Sequence, residues 1–243
     1  MKVLNDLVGY KNLKIFQDTD WFSFSLDSVL LPNFVSIKDS AKNIVDFCTG
    51  NAPIPLILST KTSAQIYGVE IQKDIFNLAN ETVIYNKLEK QIHIINEDVK
   101  NLKTIWSGDS VDVITCNPPY FRYSNKSILN EDEHKIIARH EKTITLKDIV
   151  SISKYLLKNN GTLAIVHRTD RLIEIIELFR NNNFEVKRLR FIYPKYNSES
   201  NMILIEGRKN GRPGLKILSP LYIHNNDGSY TEEVLKMFKK SGD

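Results

Sequence analysis

The chain alternates short β-forming runs with helical patterns from residue 43 onward, and this alternation limits its fold more than any other feature. Runs rich in β-branched and aromatic residues predict strands at residues 42–47, 65–70, 91–95, 111–115, 162–167, 184–193 and 201–207. Apolar residues at helical spacing predict helices at residues 53–60, 73–87, 145–158 and 170–181. Pro53 stands in the first turn of its helix, and Asp170 is the predicted N-cap of the last one. The pattern therefore predicts an α/β fold with a doubly wound, Rossmann-like parallel sheet.

The length of 243 residues suits one domain of this kind. We expect a single domain (1–243), with residues 1–42 as an N-terminal cap beside the pocket and residues 43–243 as the core. Apolar runs such as residues 54–58 are too short to cross a bilayer. The N-terminus has no apolar signal-peptide stretch, so we expect a cytoplasmic protein without a membrane partner. Cys48 and Cys116 lack metal-ligand spacing, which predicts reduced thiols and no metal.

Polar residues stand where the first three core strands end. Ligands of doubly wound sheets bind at the carboxyl ends of the strands, and Asp46, Glu70 and Asp98 end or follow these strands. Glu70 can accept from both ribose hydroxyls of a nucleoside, and Asp98 from an adenine amino group. The positions suit NAD or S-adenosylmethionine. The turn after Asp46 contains Gly50 but no GxGxxG, which favours the ligand without phosphates, S-adenosylmethionine.

The fourth strand ends in Asn117-Pro118-Pro119-Tyr120. The lone pair of an adenine amino group is delocalised into the ring, so methylation requires that nitrogen to become more tetrahedral. The Asn117 side-chain oxygen and the Pro118 carbonyl can accept its two N–H bonds, and prolines hold these acceptors rigidly. Tyr120 can stack on a flipped base. The tetrapeptide therefore predicts methyl transfer to a planar amino group.

Basic residues are concentrated near the C-terminus. Residues 187–216 contain eight Lys or Arg and two Glu, a local charge of +6, although the whole chain carries only +4. Such an excess favours a polyanionic partner. We expect these closing strands to flank the active-site edge. Phe121, Tyr123 and Tyr196 are candidates for stacking on unpaired bases, and the polar segment 122–141 is predicted to be a mobile flap over the target base.

Several segments besides the tetrapeptide indicate a family. They are Phe16-Gln17-Asp18, residues 22–31 (FSFSLDSVLL), residues 68–72 (GVEIQ), residues 117–121 (NPPYF), Arg139-His140-Glu141, His167-Arg168, residues 190–195 (RFIYPK) and residues 211–215 (GRPGL). The tetrapeptide resembles that of class I S-adenosylmethionine-dependent amino-methyltransferases. Over nearly its whole length the chain is similar to the bacterial tRNA1(Val) adenine-37 N6-methyltransferase family.

The resemblance implies a class I methyltransferase sheet that is mostly parallel, with an antiparallel strand at its C-terminal end. It implies S-adenosylmethionine as cofactor, S-adenosylhomocysteine as product, and methylation of adenine 37 N6 in the anticodon stem-loop of tRNA1(Val). We expect a monomer.

The resemblance and the charge pattern together name the site residues. The expected catalytic residues are Asn117, Pro118, Pro119 and Tyr120. The expected cofactor-binding residues are Phe24, Asp27, Ser28, Asp46, Gly50, Asn51, Glu70, Ile71, Asp98, Val99 and Asn117. The expected RNA-binding residues are Tyr120, Phe121, Arg122, Lys126, Arg139, Arg168, Lys195, Arg208, Lys209 and Arg212.

Three alternatives share parts of this pattern. A protein glutamine N5-methyltransferase also uses the tetrapeptide, but such enzymes usually carry an N-terminal helical domain, and only about 40 residues precede the first core strand here. A DNA adenine methyltransferase usually adds a target-recognition domain. A non-catalytic nucleic-acid-binding protein would have no need of the intact tetrapeptide together with Glu70. The chain also departs from the pattern of the family that it resembles at Cys48 and Ala52, where glycine is common, so the first loop is expected to differ in shape or cofactor affinity.

Overall fold

The structure is a computed structural model that describes residues 1–7, 10–18, 26–118 and 144–239. Near the N-terminus, β1 (Lys2–Leu7) pairs antiparallel with β2 (Tyr10–Asp18), and α1 (Asp27–Phe34) follows. The core then alternates strands and helices: β3 (Asn43–Phe47), α2 (Pro53–Ser59), β4 (Gln65–Glu70), α3 (Lys73–Tyr85), β5 (Ile92–Asn96), α4 (Leu102–Ile105) and β6 (Val111–Cys116). After the gap come α5 (Leu146–Leu156), β7 (Leu157–Arg168), α6 (Leu172–Asn181), β8 (Phe184–Lys195) and β9 (Met202–Lys209). The short strands β10 (Lys216–Ile217) and β11 (Leu221–His224) precede α7 (Glu232–Lys239).

The main sheet has the order β5-β4-β3-β6-β7-β9-β8, and both β10 and β11 pair with the outer edge of β8. All neighbouring strands are parallel except β9, which runs antiparallel to β7 and β8. The predicted doubly wound sheet with an antiparallel closing strand is therefore confirmed. From β3 the chain builds one half outward through β4 and β5 and the other through β6 and β7, so the switch point lies between β3 and β6.

Apolar side chains cover both faces of the sheet. One buried cluster packs α1, α2 and α7 against one face, and a second packs α5 and α6 against the other. Neighbours in a strand point to opposite faces: Ile44 belongs to the first cluster and Val45 to the second. Burial on both faces explains why these strands are nearly continuous apolar runs.

Local details differ from the sequence-based expectations. Asp170 lies inside a 3₁₀ turn (Thr169–Arg171), α6 begins at Leu172, and Arg171 occupies the N-cap position without a side-chain cap. The predicted N-cap role of Asp170 is therefore wrong, because the 3₁₀ turn moves the N-cap by one residue, to Arg171. The hairpin β1–β2 and the elements after β9 had no clear sequence signal. β1 and β2 form a hairpin of only two strands, and β10, β11 and α7 are short, so all of them depend on packing against the core.

Candidate active site

The loop after β3 has a glycine-like backbone although only one glycine is present. Cys48, Gly50 and Ala52 have φ values of 56°, 58° and 71°. A left-handed conformation costs about 1–2 kcal/mol for a residue with a side chain, so the surrounding structure must hold Cys48 and Ala52 in place. A Cβ added to Gly50 would meet no atom within 4 Å. The backbone at Gly50 is thus open to a ligand, as the cofactor loop requires.

Asp46 holds this loop from within the core. Its side chain is fully buried, and its two carboxylate oxygens accept hydrogen bonds from Thr49 Oγ1 (2.7 Å) and Thr115 Oγ1 (2.6 Å). Burial raises the pKa of Asp46 to about 7, although the two threonine hydrogen bonds oppose this shift. In this structure the carboxyl group of Asp46 has no exposed surface, and it joins the β3 loop to β6, the strand that precedes Asn117. The expected place of Asp46 at the methionine end of the cofactor stays a prediction.

Gly68 explains how the loop can lie so close to β4. A Cβ at Gly68 would stand 2.8 Å from Thr49 Oγ1 and 2.9 Å from its Cγ2. Any larger residue would therefore push the loop out of position. Sequence reasoning did not identify Thr49, Gly68 or Thr115 as part of the site. The available signal was the presence of hydroxyl residues among the apolar residues of otherwise buried segments.

Glu70 lies at the end of β4, beside the same loop. Its Oε2 accepts from the Gly50 amide (3.1 Å) and its Oε1 from the Gln72 amide (2.9 Å). The side chain is buried, and this burial raises the pKa of Glu70, whereas the amide hydrogen bonds act in the opposite direction. Two backbone amides thus hold the carboxylate at the position expected for a ribose-binding acid.

The next strand end supplies a place for a flat base. Asp98 caps the 3₁₀ turn after β5 by accepting from the Lys100 amide (2.9 Å), and Lys100 Nζ lies 3.3 Å from its second oxygen. The neighbouring Val99 is buried, whereas the side chain of Ile71 is 41% exposed. Ile71 follows β4 and Asp98 follows β5, and these two strands are neighbours in the sheet. An exposed apolar side chain and a carboxylate at this edge suit an aromatic base with an exocyclic amino group. The Nδ2 of Asn51 donates to the Phe16 carbonyl (2.8 Å) and so joins the hairpin to the β3 loop. The expected cofactor-binding role of Asn51 stays a prediction.

Asn117 follows β6 at the switch point. Its Nδ2 donates to Ser28 Oγ at 3.1 Å, across 89 residues of sequence. Ser28 is buried in the first turn of α1, next to Asp27. This contact sets the orientation of the Asn117 amide. Pro118 is buried beside it. The expected site residues Phe24, Pro119, Tyr120, Phe121, Arg122, Lys126 and Arg139 lie outside the described residues, as do Tyr123 and the predicted flap.

The register of β9 divides the expected RNA-binding residues between two edges of the sheet. Arg168 ends β7 and Lys195 ends β8, so both lie at the carboxyl-end edge with Asn117. Arg208 pairs with Thr162, which in turn pairs with Val113 near the beginning of β6, and the Arg208 guanidinium donates to the Asn160 carbonyl.

Two more of these residues lie at the same distant edge. Lys209 donates to Asp109 and to the Leu157 carbonyl. Arg212 follows the turn beyond β9, where its carbonyl accepts from Lys187. The expectation that Arg208, Lys209 and Arg212 flank the active-site edge is therefore wrong, because β9 runs antiparallel and carries its C-terminal residues away from that edge.

Within the described ranges, the side chains form no group of three or more His, Cys, Asp or Glu suited to a metal ion. No helix there has the length and apolar character needed to span a membrane.

The residues present fit an adenosine-containing cofactor: an open backbone at Gly50, an acid held at the end of β4, and the exposed apolar side chain of Ile71 at the same edge. With the sheet order and Asn117 at the switch point, these features define an S-adenosylmethionine-dependent methyltransferase of the class I fold. The chain belongs to the methyltransferase small domain family, whose profile matches residues 24–191.

Relatives and solved structures agree with this assignment. The tRNA1(Val) (adenine(37)-N6)-methyltransferase of Shewanella woodyi is 25% identical over 88% of this chain and 89% of its own length. The protein of the same name from Porphyromonas gingivalis is 25% identical over 96% and 93%. A crystal structure described as a predicted O-methyltransferase from Agrobacterium tumefaciens has a TM-score of 0.69 and 18% identity, covering 89% of this chain and 98% of that one. This structural likeness supports the fold.

Proposed function

We propose that this methyltransferase transfers a methyl group from S-adenosylmethionine to the N6 amino group of an adenine in tRNA, and that adenine 37 of tRNA1(Val) is its target. The observation that carries the chemistry is the hydrogen bond from Asn117 Nδ2 to Ser28 Oγ. Because the amide nitrogen faces Ser28, the side-chain oxygen points away from Ser28, in the opposite direction within the amide plane. The names of the two bacterial relatives support the choice of substrate.

The chain's own groups activate the acceptor nitrogen. The Asn117 Oδ1 and the Pro118 carbonyl accept the two N–H bonds of the adenine amino group and draw its nitrogen toward a tetrahedral geometry. Both acceptors are positioned before the substrate binds: Ser28 holds the Asn117 amide, and the proline that follows Pro118 in the sequence restricts the backbone angle that directs the Pro118 carbonyl. When bound, S-adenosylmethionine supplies the methyl group from its sulfonium. The spare proton of the amino group leaves for water once the N–C bond has formed, so no buried base is required.

Other residues hold the cofactor, position the loop beside it or contact the RNA. We assign the ribose hydroxyls to Glu70, the adenine to Asp98, Val99 and Ile71, and the methionine end to the open backbone at Gly50. Asp46 has a positioning role, since its hydrogen bonds to Thr49 and Thr115 keep the cofactor loop and the Asn117 strand at a constant separation. Of the basic residues, Arg168 and Lys195 lie at the correct edge to contact RNA phosphates.

The experiment uses purified protein, S-adenosylmethionine with a deuterated methyl group, and an unmodified tRNA1(Val) transcript. Mass spectrometry of the digested nucleosides should find the label in N6-methyladenosine. The same transcript with guanosine at position 37 should remain unlabelled, and so should the reaction with Asn117→Ala, which should still bind S-adenosylmethionine within about tenfold of the wild type. Label in another nucleoside, or equal label in the position-37 variant, would refute the proposed target.

A further inference from the structure

Aromatic side chains are concentrated in one corner of the molecule, where β8 and β11 end. The ring centroids of Tyr193 and Tyr222 are 5.4 Å apart, and those of Tyr196 and Tyr222 are 5.8 Å apart. Tyr196 is 62% exposed, and the other two rings are partly exposed. Beside them, His224 stacks on Tyr230 with a centroid distance of 4.9 Å and an interplanar angle of 23°. We call Tyr193, Tyr196 and Tyr222 the tyrosine surface.

The tyrosine surface has a rigid base. Tyr222 stands between Leu221 and Ile223, which are buried in the core, so it points away from that core. Its carbonyl accepts from Thr231 Oγ1 (2.7 Å). Arg190 donates to the Ser219 carbonyl (2.9 Å) and pairs with Glu233 (2.6 Å), which ties β8 to the segment before β11 and to α7. The exposed rings are therefore not part of the core, although the strands that carry Tyr193 and Tyr222 pack against it.

The surface also lies at the active-site edge. β11 runs parallel to β8, with Tyr222 opposite Tyr193, and β8 ends at the same edge as β6. From β6 through β7 and β9 to β8 there are three strand spacings, which amount to about 14 Å. That distance corresponds to about four stacked nucleotides at roughly 3.4 Å each.

The positively charged Lys195 belongs to the same segment as two of the tyrosines. Lys195 is exposed between Tyr193 and Tyr196 in sequence and pairs with His224 in the β-ladder. Among the side chains that the structure describes, no carboxylate forms a salt bridge with it. Exposed aromatic rings beside a cation are the features by which proteins hold unpaired nucleotides, with bases on the rings and phosphates at the cation.

We propose that the tyrosine surface and Lys195 bind unpaired RNA nucleotides that flank the methylated adenine. This proposal rests on the proposed function, because it takes the substrate to be RNA. It adds a second contact area, about four nucleotides from the reacting base, which recognises single-stranded RNA rather than duplex.

The test compares RNA binding by Tyr196→Ala and Tyr222→Ala with that of the wild type, using a fluorescent anticodon stem-loop of tRNA1(Val). Each alanine should weaken binding roughly 5- to 150-fold, the range that base–aromatic stacking covers. Tyr196→Phe and Tyr222→Phe should bind like the wild type because they keep the ring. Tyr155→Ala removes a tyrosine that is 37% exposed beside Gly108, away from this edge, and should have no effect.

Further measurements separate stacking from a structural role. With full tRNA, the alanine variants should show a higher KM and an unchanged kcat, and their affinity for S-adenosylmethionine should equal that of the wild type. Abasic sites three to five nucleotides from the target should weaken binding to the wild type but have little further effect on the Tyr196→Ala/Tyr222→Ala double variant. A blunt RNA duplex should bind all variants equally.

The two proposals fail separately. If the wild type methylates tRNA and the double variant does so with an unchanged KM, the tyrosine surface is refuted and the function stands. If the alanine variants lose stem-loop and duplex binding equally, stacking on unpaired bases is refuted. If the wild type binds no RNA but captures a protein through these tyrosines, both proposals are refuted.

Discussion

Asp46→Asn tests whether the carboxyl group of Asp46 is buried and keeps its proton up to about pH 7. Burial raises the pKa of Asp46 from 3.8 to about 7. In the unfolded chain the group loses its proton near pH 3.8, whereas the folded protein keeps it until about pH 7. Within this window the folded state binds one more proton, so stability falls as the pH rises, by about 1.4 kcal/mol per pH unit. Over about three units the loss amounts to roughly 4 kcal/mol.

An asparagine has no proton to lose and can still bond with the hydroxyls of Thr49 and Thr115. Near pH 4 the variant should therefore be within about 1 kcal/mol of the wild type. Relative to the wild type it should gain about 4 kcal/mol between pH 4 and pH 7.

His167 has the opposite effect on the pH dependence of stability. It is buried, and burial together with Arg171 lowers its pKa from 6.5 to about 4. The unfolded chain binds the extra proton here, so stability rises with pH between 4 and 6.5, again by about 1.4 kcal/mol per unit. In the wild type the opposite effects of Asp46 and His167 on stability nearly cancel between pH 4 and 6.5. In Asp46→Asn the effect of His167 should remain, so the stability of this variant should rise with pH over that range.

Urea unfolding at half-unit steps from pH 4 to pH 8 measures both effects. Asp39→Asn changes an exposed carboxylate and is the control; its stability should vary with pH in the same way as that of the wild type. A constant stability difference between Asp46→Asn and the wild type across this range would show that the carboxyl group is not buried as described.

Three further predictions concern the site itself. Ser28→Ala removes the hydrogen bond to the Asn117 amide, so kcat should fall about 2- to 12-fold, the equivalent of one hydrogen bond. The affinity for S-adenosylmethionine, measured by calorimetry, should change less. A lower affinity at constant kcat would make Ser28 a cofactor ligand instead. Glu70→Ala should weaken S-adenosylmethionine binding by about 1.5–3 kcal/mol through loss of a charge-assisted bond, and unchanged calorimetry would contradict the ribose assignment. Lys195→Glu should reduce tRNA affinity and its salt dependence, whereas Arg208→Glu at the opposite edge should leave both unchanged; the reverse result would place the RNA on the other edge.

Much of the fold could be predicted because the pattern of apolar residues follows directly from burial. A parallel sheet covered on both faces requires continuous apolar strands separated by helices, and residues 43–209 show that pattern. Asn117 and Glu70 could also be identified from the sequence, since they are polar side chains at the ends of predicted strands. Thr49, Thr115 and Gly68 were not, because their importance comes from contacts between segments that are distant in sequence.

The sequence by itself determined the alternation of strands and helices, the strand ends that carry the site, and the chemistry available at Asn117. Only the tertiary structure decided which groups meet and which edge each one occupies. The basic residues show why: eight positive charges in one stretch suggested a single RNA-binding patch, but β8 and β9 run in opposite directions. Lys195 therefore lies at the active-site edge and Arg208 at the other, because strand direction depends on hydrogen-bond pairing across the sheet and not on the composition of the segment.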